Sequence, residues 1–153
     1  MHLRIIAVGR LREPYIAAAA ADFRRRLAPY HRLDEVEVRA ADGEWPAAAM
    51  TLEAAAILRT LAPQDHVWLL ERTGDELSSI EVAQRLERLA LDGTSRVTFV
   101  IAGTYGAAPE LAARANLRWS LSRLTLLHEW VRALVLEQLY RATKIARNEP
   151  YHH

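Results

Sequence analysis

The feature that most constrains the fold is a run of apolar and β-branched residues from Arg96 to Gly103, with the sequence RVTFVIAG. A strand with so few polar positions is typical of the centre of a parallel sheet, where both faces are covered. Two shorter runs, Leu3–Gly9 and His66–Glu71, have the same character. Because helix-like segments separate these strands, the sequence predicts an α/β fold: a mostly parallel sheet with helices on both faces.

The remaining segments fit this alternation. We predict a half-exposed strand over Asp34–Arg39, a turn at Thr73-Gly74 and mixed strand character from Leu117 to Leu126. The 153 residues suit a single domain, 1–153, with one core. The predicted helices are Pro14–Leu27, Met50–Leu61, a helix capped by Ser78 or Ser79 and ending at Leu91, Pro109–Ala115 and Glu129–Arg147.

Composition excludes several function classes. The chain has no cysteine, which excludes disulfides and thiolate zinc sites, and its six histidines show no ligand spacing, so we expect no metal. A net charge of +1 gives no global basic field, so any contact with RNA requires a local patch. The apolar stretch at the start is too short for a signal peptide or a membrane span, and we expect a cytoplasmic protein without a membrane partner.

The expected ligand site lies where the strands end. Parallel α/β sheets bind ligands beyond the carboxyl ends of their strands, here the loops after Glu71, after Ile101 and around Thr125. The second of these loops, Ala102–Gly106, contains two glycines that let a ligand approach the main chain. It matches neither a dinucleotide-binding fingerprint nor a P-loop, and a ligand loop and a plain turn remain about equally favoured.

The carboxyl-terminal segment has three notable features. The last helix is apolar nearly all round from Trp130 to Leu136, so part of its cover could be another subunit. Spacing alone favours a frayed tail at the carboxyl terminus over one that stacks on a base and handles a proton. A polar stripe follows the apolar part of the helix, and a solvated face is its favoured interpretation; it consists of Glu137, Arg141, Lys144 and Asn148.

Beyond these patterns, the chain resembles the RlmH branch of the SPOUT methyltransferases. The similarity covers essentially the whole chain, and its specific part is the order and spacing of residues near the carboxyl terminus. The matching residues are Leu121–Leu126, His128, Arg132, Glu137–Ala142, Ile145 and Pro150–His152, together with Ile6–Gly9 and Leu91–Gly93.

The resemblance implies a SPOUT fold with a carboxyl-terminal trefoil knot, and a homodimer with a composite active site. It implies S-adenosyl-L-methionine as the cofactor and N3-methylation of a pseudouridine in 23S rRNA of the assembled ribosome as the reaction. The residues that match the cofactor-binding positions of the family are Leu70, Gly103, Ser122, Arg123, Leu124, Thr125, Leu126 and Leu127.

Three residues are our candidates for catalysis within this implied reaction. Arg141 would stabilise charge on the base carbonyls, because a guanidinium is cationic at every relevant pH. His152 would accept a proton, and Tyr151 would stack on the base or order the tail. The tail would act across the dimer, on the partner's cofactor.

Some positions depart from the family pattern and keep alternatives open. Ala102 replaces a usual glycine, Leu127 replaces a usual proline, and the normally basic loop near Gly43 carries Asp42 and Glu44. The alternatives are a SPOUT enzyme that acts on tRNA, a non-catalytic relative that binds RNA or ribosomes, and a flavodoxin-like nucleotide-binding module.

Overall fold

The computed structural model describes residues 1–151 and contains five strands in one sheet, in the order β2-β1-β4-β3-β5, with every pair parallel. This confirms the predicted α/β class and parallel sheet. The elements are β1 (His2–Val8), α1 (Pro14–Leu27), β2 (Arg32–Val38), α2 (Pro46–Thr60), β3 (His66–Glu76), α3 (Ser79–Leu91), β4 (Arg96–Ile101), α4 (Pro109–Arg114), β5 (Leu117–Ser120) and α5 (His128–Ala146).

The apolar run from Arg96 to Gly103 contains the central strand, β4. Five of its six residues are buried, and its Phe99 pairs in register with Ile5 of β1 on one side and Trp68 of β3 on the other. Such a strand needs cover on both faces, which the helices supply. On one face, Trp68, Phe99 and Trp119 make edge-to-face contacts with ring centroids 5.4 to 6.2 Å apart.

Helices cover both faces of the sheet, as predicted. Helices α1, α3 and α5 pack on the face that carries the three aromatic rings, through residues such as Ile16, Val82 and Leu136. Helices α2 and α4 pack on the other face, through Ile57 and Leu111. Full burial of a side chain of this size contributes about 1.5–3 kcal/mol, so the two clusters are the main source of stability.

Helix boundaries follow local chemistry. Helix α2 begins at Pro46, four residues before the predicted start at Met50, because proline at the first helical position has no N–H left unpaired there. Helix α3 is capped by Ser78, one of the two predicted caps. The Ser78 hydroxyl accepts the Glu81 N–H at 3.1 Å, and the Glu81 carboxylate accepts the Ser78 N–H at 2.7 Å.

The prediction for the end of β3 was wrong. The strand does not stop at Glu71 before a turn at Thr73-Gly74 but continues to Glu76, and it pairs with β5 a second time after a register shift between Leu70 and Asp75. Gly74 makes this possible, because a Cβ there would lie 2.5 Å from the Arg118 carbonyl oxygen. Strand β5 covers only the first four residues of the predicted Leu117–Leu126 segment, and the rest is loop.

Among residues 1–151, no helix is both long enough and apolar enough to cross a lipid bilayer.

Candidate functional site

A cavity of about 380 Å³ lies at the carboxyl edge of the sheet, bounded by the predicted loops after Ile101 and around Thr125 and, in place of the predicted loop after Glu71, by the extended part of β3. Its size is within the range of small-molecule sites. The wall consists of Leu70 to Thr73 from β3, Ile101 to Ala107 after β4, and Leu121 to Leu126 (apart from Arg123) after β5, closed by Trp119, His128 and Val131.

Most of the predicted cofactor residues meet at this cavity. Its lining includes Leu70, Gly103, Ser122, Leu124, Thr125 and Leu126. The other two residues do not line it. The Arg123 side chain is 89% exposed and lies 3.6 Å from Glu76, and Leu127 is the exposed residue that precedes the first turn of α5.

Hydrogen bonds join β3, the end of β5 and the loop that follows β5. The Ser120 hydroxyl lies 2.9 Å from the Arg72 carbonyl oxygen and 3.0 Å from that of Ser122, so these two acceptors share its single proton. The Leu124 N–H donates to the Ser122 hydroxyl at 3.0 Å. The lining therefore combines ordered main chain and apolar side chains with polar groups such as Glu71, Arg72 and His128, a surface that suits a flat heterocycle with polar edges.

The loop Gly103–Gly106 forms the wall between this cavity and a second one. The Gly106 N–H donates to the Gly103 carbonyl at 3.0 Å, and Gly106 has φ +89°. Since the loop lines a cavity, the ligand-loop interpretation is favoured over a plain turn. Ala102, which replaces a usual glycine, lines the cavity without closing it.

The candidate catalytic residues lie at the far end of α5. The Arg141 guanidinium donates to Glu137 Oε1 from Nε at 3.0 Å and from Nη2 at 2.6 Å, and to the Tyr151 carbonyl at 3.3 Å. The Arg141 guanidinium carbon lies over the Tyr151 ring, 4.6 Å from the ring centroid, and the Tyr151 ring contacts the Tyr140 ring edge-on. Tyr151 is thus packed rather than frayed, which corrects the favoured interpretation of the tail at this residue.

The side chains of Tyr151 and of the neighbouring polar residues on α5 are less exposed than those of a solvated surface. Burial, followed by the charge of Glu137, raises the pKa of the Tyr151 phenol, whose hydroxyl donates to Glu137 Oε1 at 3.2 Å. The side chains of Glu137, Arg141 and Lys144 are only 16%, 23% and 14% exposed, so the solvated-face interpretation was wrong for these three residues of the stripe, whereas Asn148 is exposed as predicted. The remaining catalytic candidate, His152, lies outside the described residues.

One chain does not bring the cavity and these candidates together. His128, at the start of α5, lines the cavity, whereas Arg141 is thirteen residues further along. At the rise of an α-helix this separation is about 20 Å. A reaction that uses both therefore needs a second chain or a large movement.

Helix α5 exposes an apolar face near the cavity. Helices α1 and α3 flank α5, yet Trp130 and Leu134 remain 39% and 37% exposed. Tyr15 extends the surface, with its ring 5.9 Å from that of Trp130, and Leu127 adds to it. Contiguous apolar surface of this kind is typical of protein interfaces, and cover by another subunit stays a prediction.

Two buried charged residues orient the start of α5, and the sequence analysis gave them no structural role. Arg132 donates to Glu37 Oε2 and to the Gly9 carbonyl, both at 2.8 Å. Glu129 Oε1 accepts the N–H groups of Arg12 at 2.6 Å and Glu13 at 3.1 Å. Their presence inside an otherwise apolar helical stretch is the signal that could have identified them.

The electrostatics of Glu129 follow from these bonds. Burial acts to raise the pKa of its carboxyl, but the two main-chain N–H donors outweigh burial, so the pKa is lowered and the group is held as a carboxylate. Within the described part of the chain, no three acidic or histidine side chains come close enough to hold a metal ion.

Comparisons with known proteins agree with this geometry. The family model described as "Predicted SPOUT methyltransferase" matches residues 1–152. Proteins called ribosomal RNA large subunit methyltransferase H are similar over nearly their full length. The one from Gloeobacter violaceus is 42% identical over 153 residues, covering 100% of this chain and 99% of the relative. That from Pelotomaculum thermopropionicum is 43% identical over 160 residues, covering 99% of each chain.

The family model matches nearly all residues, and the chain has an all-parallel sheet with a cavity at its carboxyl edge. This chain belongs to the SPOUT methyltransferase family.

Proposed function

We propose that this protein uses S-adenosyl-L-methionine to methylate N3 of a pseudouridine in 23S rRNA of the large ribosomal subunit, on the assembled ribosome. The observation that carries the proposal is the cavity of about 380 Å³ whose lining includes six of the eight predicted cofactor residues. Relatives at about 40% identity over the whole chain, which are called ribosomal RNA large subunit methyltransferase H, support the substrate class.

The cavity fits the cofactor by its shape and lining. Gly103 presents bare main chain, and the segments at Leu70 and Ser122 add further main-chain donors and acceptors. Leu121, Leu126 and Val131 supply the apolar contacts that an adenine ring requires. S-adenosylmethionine, when bound, supplies an electrophilic methyl group.

The working unit in this proposal is a homodimer. The separation of about 20 Å along α5 between the cavity and Arg141 supports a composite site, in which one chain holds the cofactor and the other supplies Arg141 and the tail. The apolar face at Trp130 and Leu134 offers a surface for the partner.

The proposed chemistry needs alignment and charge stabilisation. The N3 of a uracil ring carries a proton at neutral pH and is weakly nucleophilic, so the proton must leave as the N3–C bond forms in line with the breaking S–C bond, over about 3–3.5 Å. Arg141, held by Glu137, would stabilise negative charge on the ring carbonyls. Tyr151 would stack on the base, and His152 would accept the proton.

Replacing Arg141 by alanine tests its role. We expect turnover with ribosomes to fall at least a hundredfold, about the size of one lost charge-stabilising donor, while S-adenosylmethionine binding by calorimetry is kept. Arg147→Ala, which removes an exposed arginine of the same helix end, is the matched control and should keep turnover. Full activity of Arg141→Ala would remove this residue from the mechanism.

Subunit mixing tests the composite site. An Arg141→Ala chain and a Gly103→Val chain should each be inactive, yet co-expressed they should form heterodimers with one intact site. Restored methylation supports action across the dimer. A mixture as inactive as its parents would show that each site uses a single chain.

Other parts of the proposal come with the family. We propose that the segment after β5 is threaded into a trefoil knot, that residues 1–153 act as one domain, and that the protein works in the cytoplasm. Mass spectrometry of tRNA and 23S rRNA from a deletion strain tests the substrate. A methyl group that is missing from tRNA and not from 23S rRNA would show that the protein acts on tRNA.

A non-catalytic role is the competing function. Ala102 at the cavity wall and Leu127 beside it motivate this alternative. Calorimetry with S-adenosylmethionine separates the two, because a chain that takes up no cofactor at millimolar concentration cannot be the proposed enzyme.

A further inference from the structure

Glu53 of α2 is a buried carboxylate next to the proposed cofactor cavity. It is 7% exposed, and its Oε2 accepts the Ala41 N–H at 3.0 Å. Its other oxygen, Oε1, is buried and has no hydrogen-bond partner among the described residues. An unpaired buried carboxylate oxygen is unfavourable and rare, so its retention calls for a reason.

The unpaired oxygen faces the glycine loop. A Cβ at Gly103 would lie 2.6 Å from Glu53 Oε1, so a larger residue there would have to displace the carboxylate, which lies directly against the loop. Gly103 also lines the proposed cofactor cavity, whereas Glu53 lines the second cavity, of about 260 Å³, on the opposite side of the loop. A ligand against Gly103 is therefore separated from the Glu53 charge by one main-chain segment.

The charge of Glu53 is not neutralised by an ion pair within residues 1–151, although Arg10 and Arg12 line the same second cavity. The acidic residue that lines the cofactor cavity itself, Glu71, is paired with Arg118. Glu129, the other buried carboxylate of the second cavity, accepts two main-chain N–H groups, whereas Glu53 leaves one oxygen without a partner and is free to act on a ligand.

We propose that Glu53 is a specificity-determining residue that favours a cationic ligand over its neutral counterpart in this cavity. The inference rests on the proposed function, since it takes the sulfonium of S-adenosylmethionine as the cation and the thioether of S-adenosylhomocysteine as the neutral form. A buried charge acts through a low effective dielectric, so its attraction reaches across one main-chain segment. The carboxylate thereby helps the enzyme to bind substrate cofactor and release product.

The test compares the affinities of the two compounds for the wild-type protein and for Glu53→Gln by calorimetry, without RNA. Glutamine keeps the size and can keep the Ala41 bond but removes the charge. We expect the affinity for S-adenosylmethionine to fall on the order of fivefold and that for S-adenosylhomocysteine less than about twofold. Glu44→Gln, at an exposed acidic residue of the second cavity, is the matched control and should change neither affinity.

The outcomes separate the two proposals. If the wild-type protein binds neither compound, the proposed function fails, and this inference with it. If it binds both and Glu53→Gln lowers both affinities equally or leaves both unchanged, the inference alone is overturned. Glu53→Met, which also removes the charge at similar volume, gives the same comparison if the glutamine variant does not fold.

Discussion

Replacing Gly74 by alanine tests the double pairing of β3 with β5 that aligns two loops of the cavity. The added Cβ would lie 2.5 Å from the Arg118 carbonyl oxygen, 2.6 Å from its carbonyl carbon and 2.9 Å from the Trp119 nitrogen. All three neighbours are main-chain atoms, so no side chain can turn away. The strands must separate by about 0.9 Å to restore ordinary van der Waals contact.

The size of the effect follows from what this separation disturbs. Overpacking of a well-filled site costs about 1–3 kcal/mol. The pairs Asp75–Trp119 and Glu76–Ser120 lie beyond the contact, and the bond from the Ser120 hydroxyl to the Arg72 carbonyl crosses the same two segments. Loss of one such hydrogen bond adds about 1 kcal/mol. We expect a loss of about 3 kcal/mol, equivalent to roughly 6–12 °C in Tm for a chain of this length.

Urea unfolding and cofactor calorimetry together measure this prediction. Gly43→Ala is the control, because Gly43 has φ +82° with no atom within 4 Å of an added Cβ and does not line the cofactor cavity. Its free energy of unfolding should fall by only about 1–2 kcal/mol, the cost of a left-handed backbone at a residue other than glycine. Its affinity for the cofactor should be unchanged. If Gly74→Ala lost no more stability than Gly43→Ala, the close contact would not be the constraint that we describe.

Three further predictions concern the rest of the molecule. Hydrogen bonds from Lys144 and then from Arg147 lower the pKa of the Glu149 carboxyl to about 2. The NMR signal of this carboxyl should titrate near that pH, and Lys144→Met should raise the titration midpoint towards the ordinary range of a glutamate. Because the folded pKa is depressed, this contribution to stability is present above the ordinary pKa of a glutamate and is lost as the pH falls towards 2. Ser78→Ala removes the cap of α3 and should cost about 1 kcal/mol in urea unfolding, whereas an unchanged midpoint would show that the capping box contributes nothing. Trp130→Glu should convert the proposed dimer to a monomer in light scattering, and a dimer that persists would place the interface elsewhere.

Much of the fold could be predicted because burial patterns and element order are local properties. The run around Phe99 is apolar enough to identify the central strand, and Pro14 marks the start of α1. The extension of β3 could not be predicted, because Thr73-Gly74, which follows the charged pair Glu71-Arg72, has the composition of a turn. Its strand conformation depends on the Arg118 main chain, 44 residues away.

The candidate site was predictable in a different way. The rule for parallel sheets located the cavity at the carboxyl edge, although the predicted loop after Glu71 is a continuation of β3. The family resemblance named the residues, of which Arg123 and Leu127 do not line the cavity. Glu53 escaped the sequence analysis, since one acidic residue in a helix is typical of an exposed position. Only the packing of α2 against Gly103 shows that it is buried.

A crystal structure of the protein with S-adenosylhomocysteine tests the central claim most directly. The account predicts two chains per assembly, with the ligand in the cavity against the main chain at Leu70, Gly103 and Ser122, and with the tail of one chain close to the ligand of the other. A ligand bound outside this cavity, or a single chain whose own Arg141 reaches it, would contradict the account.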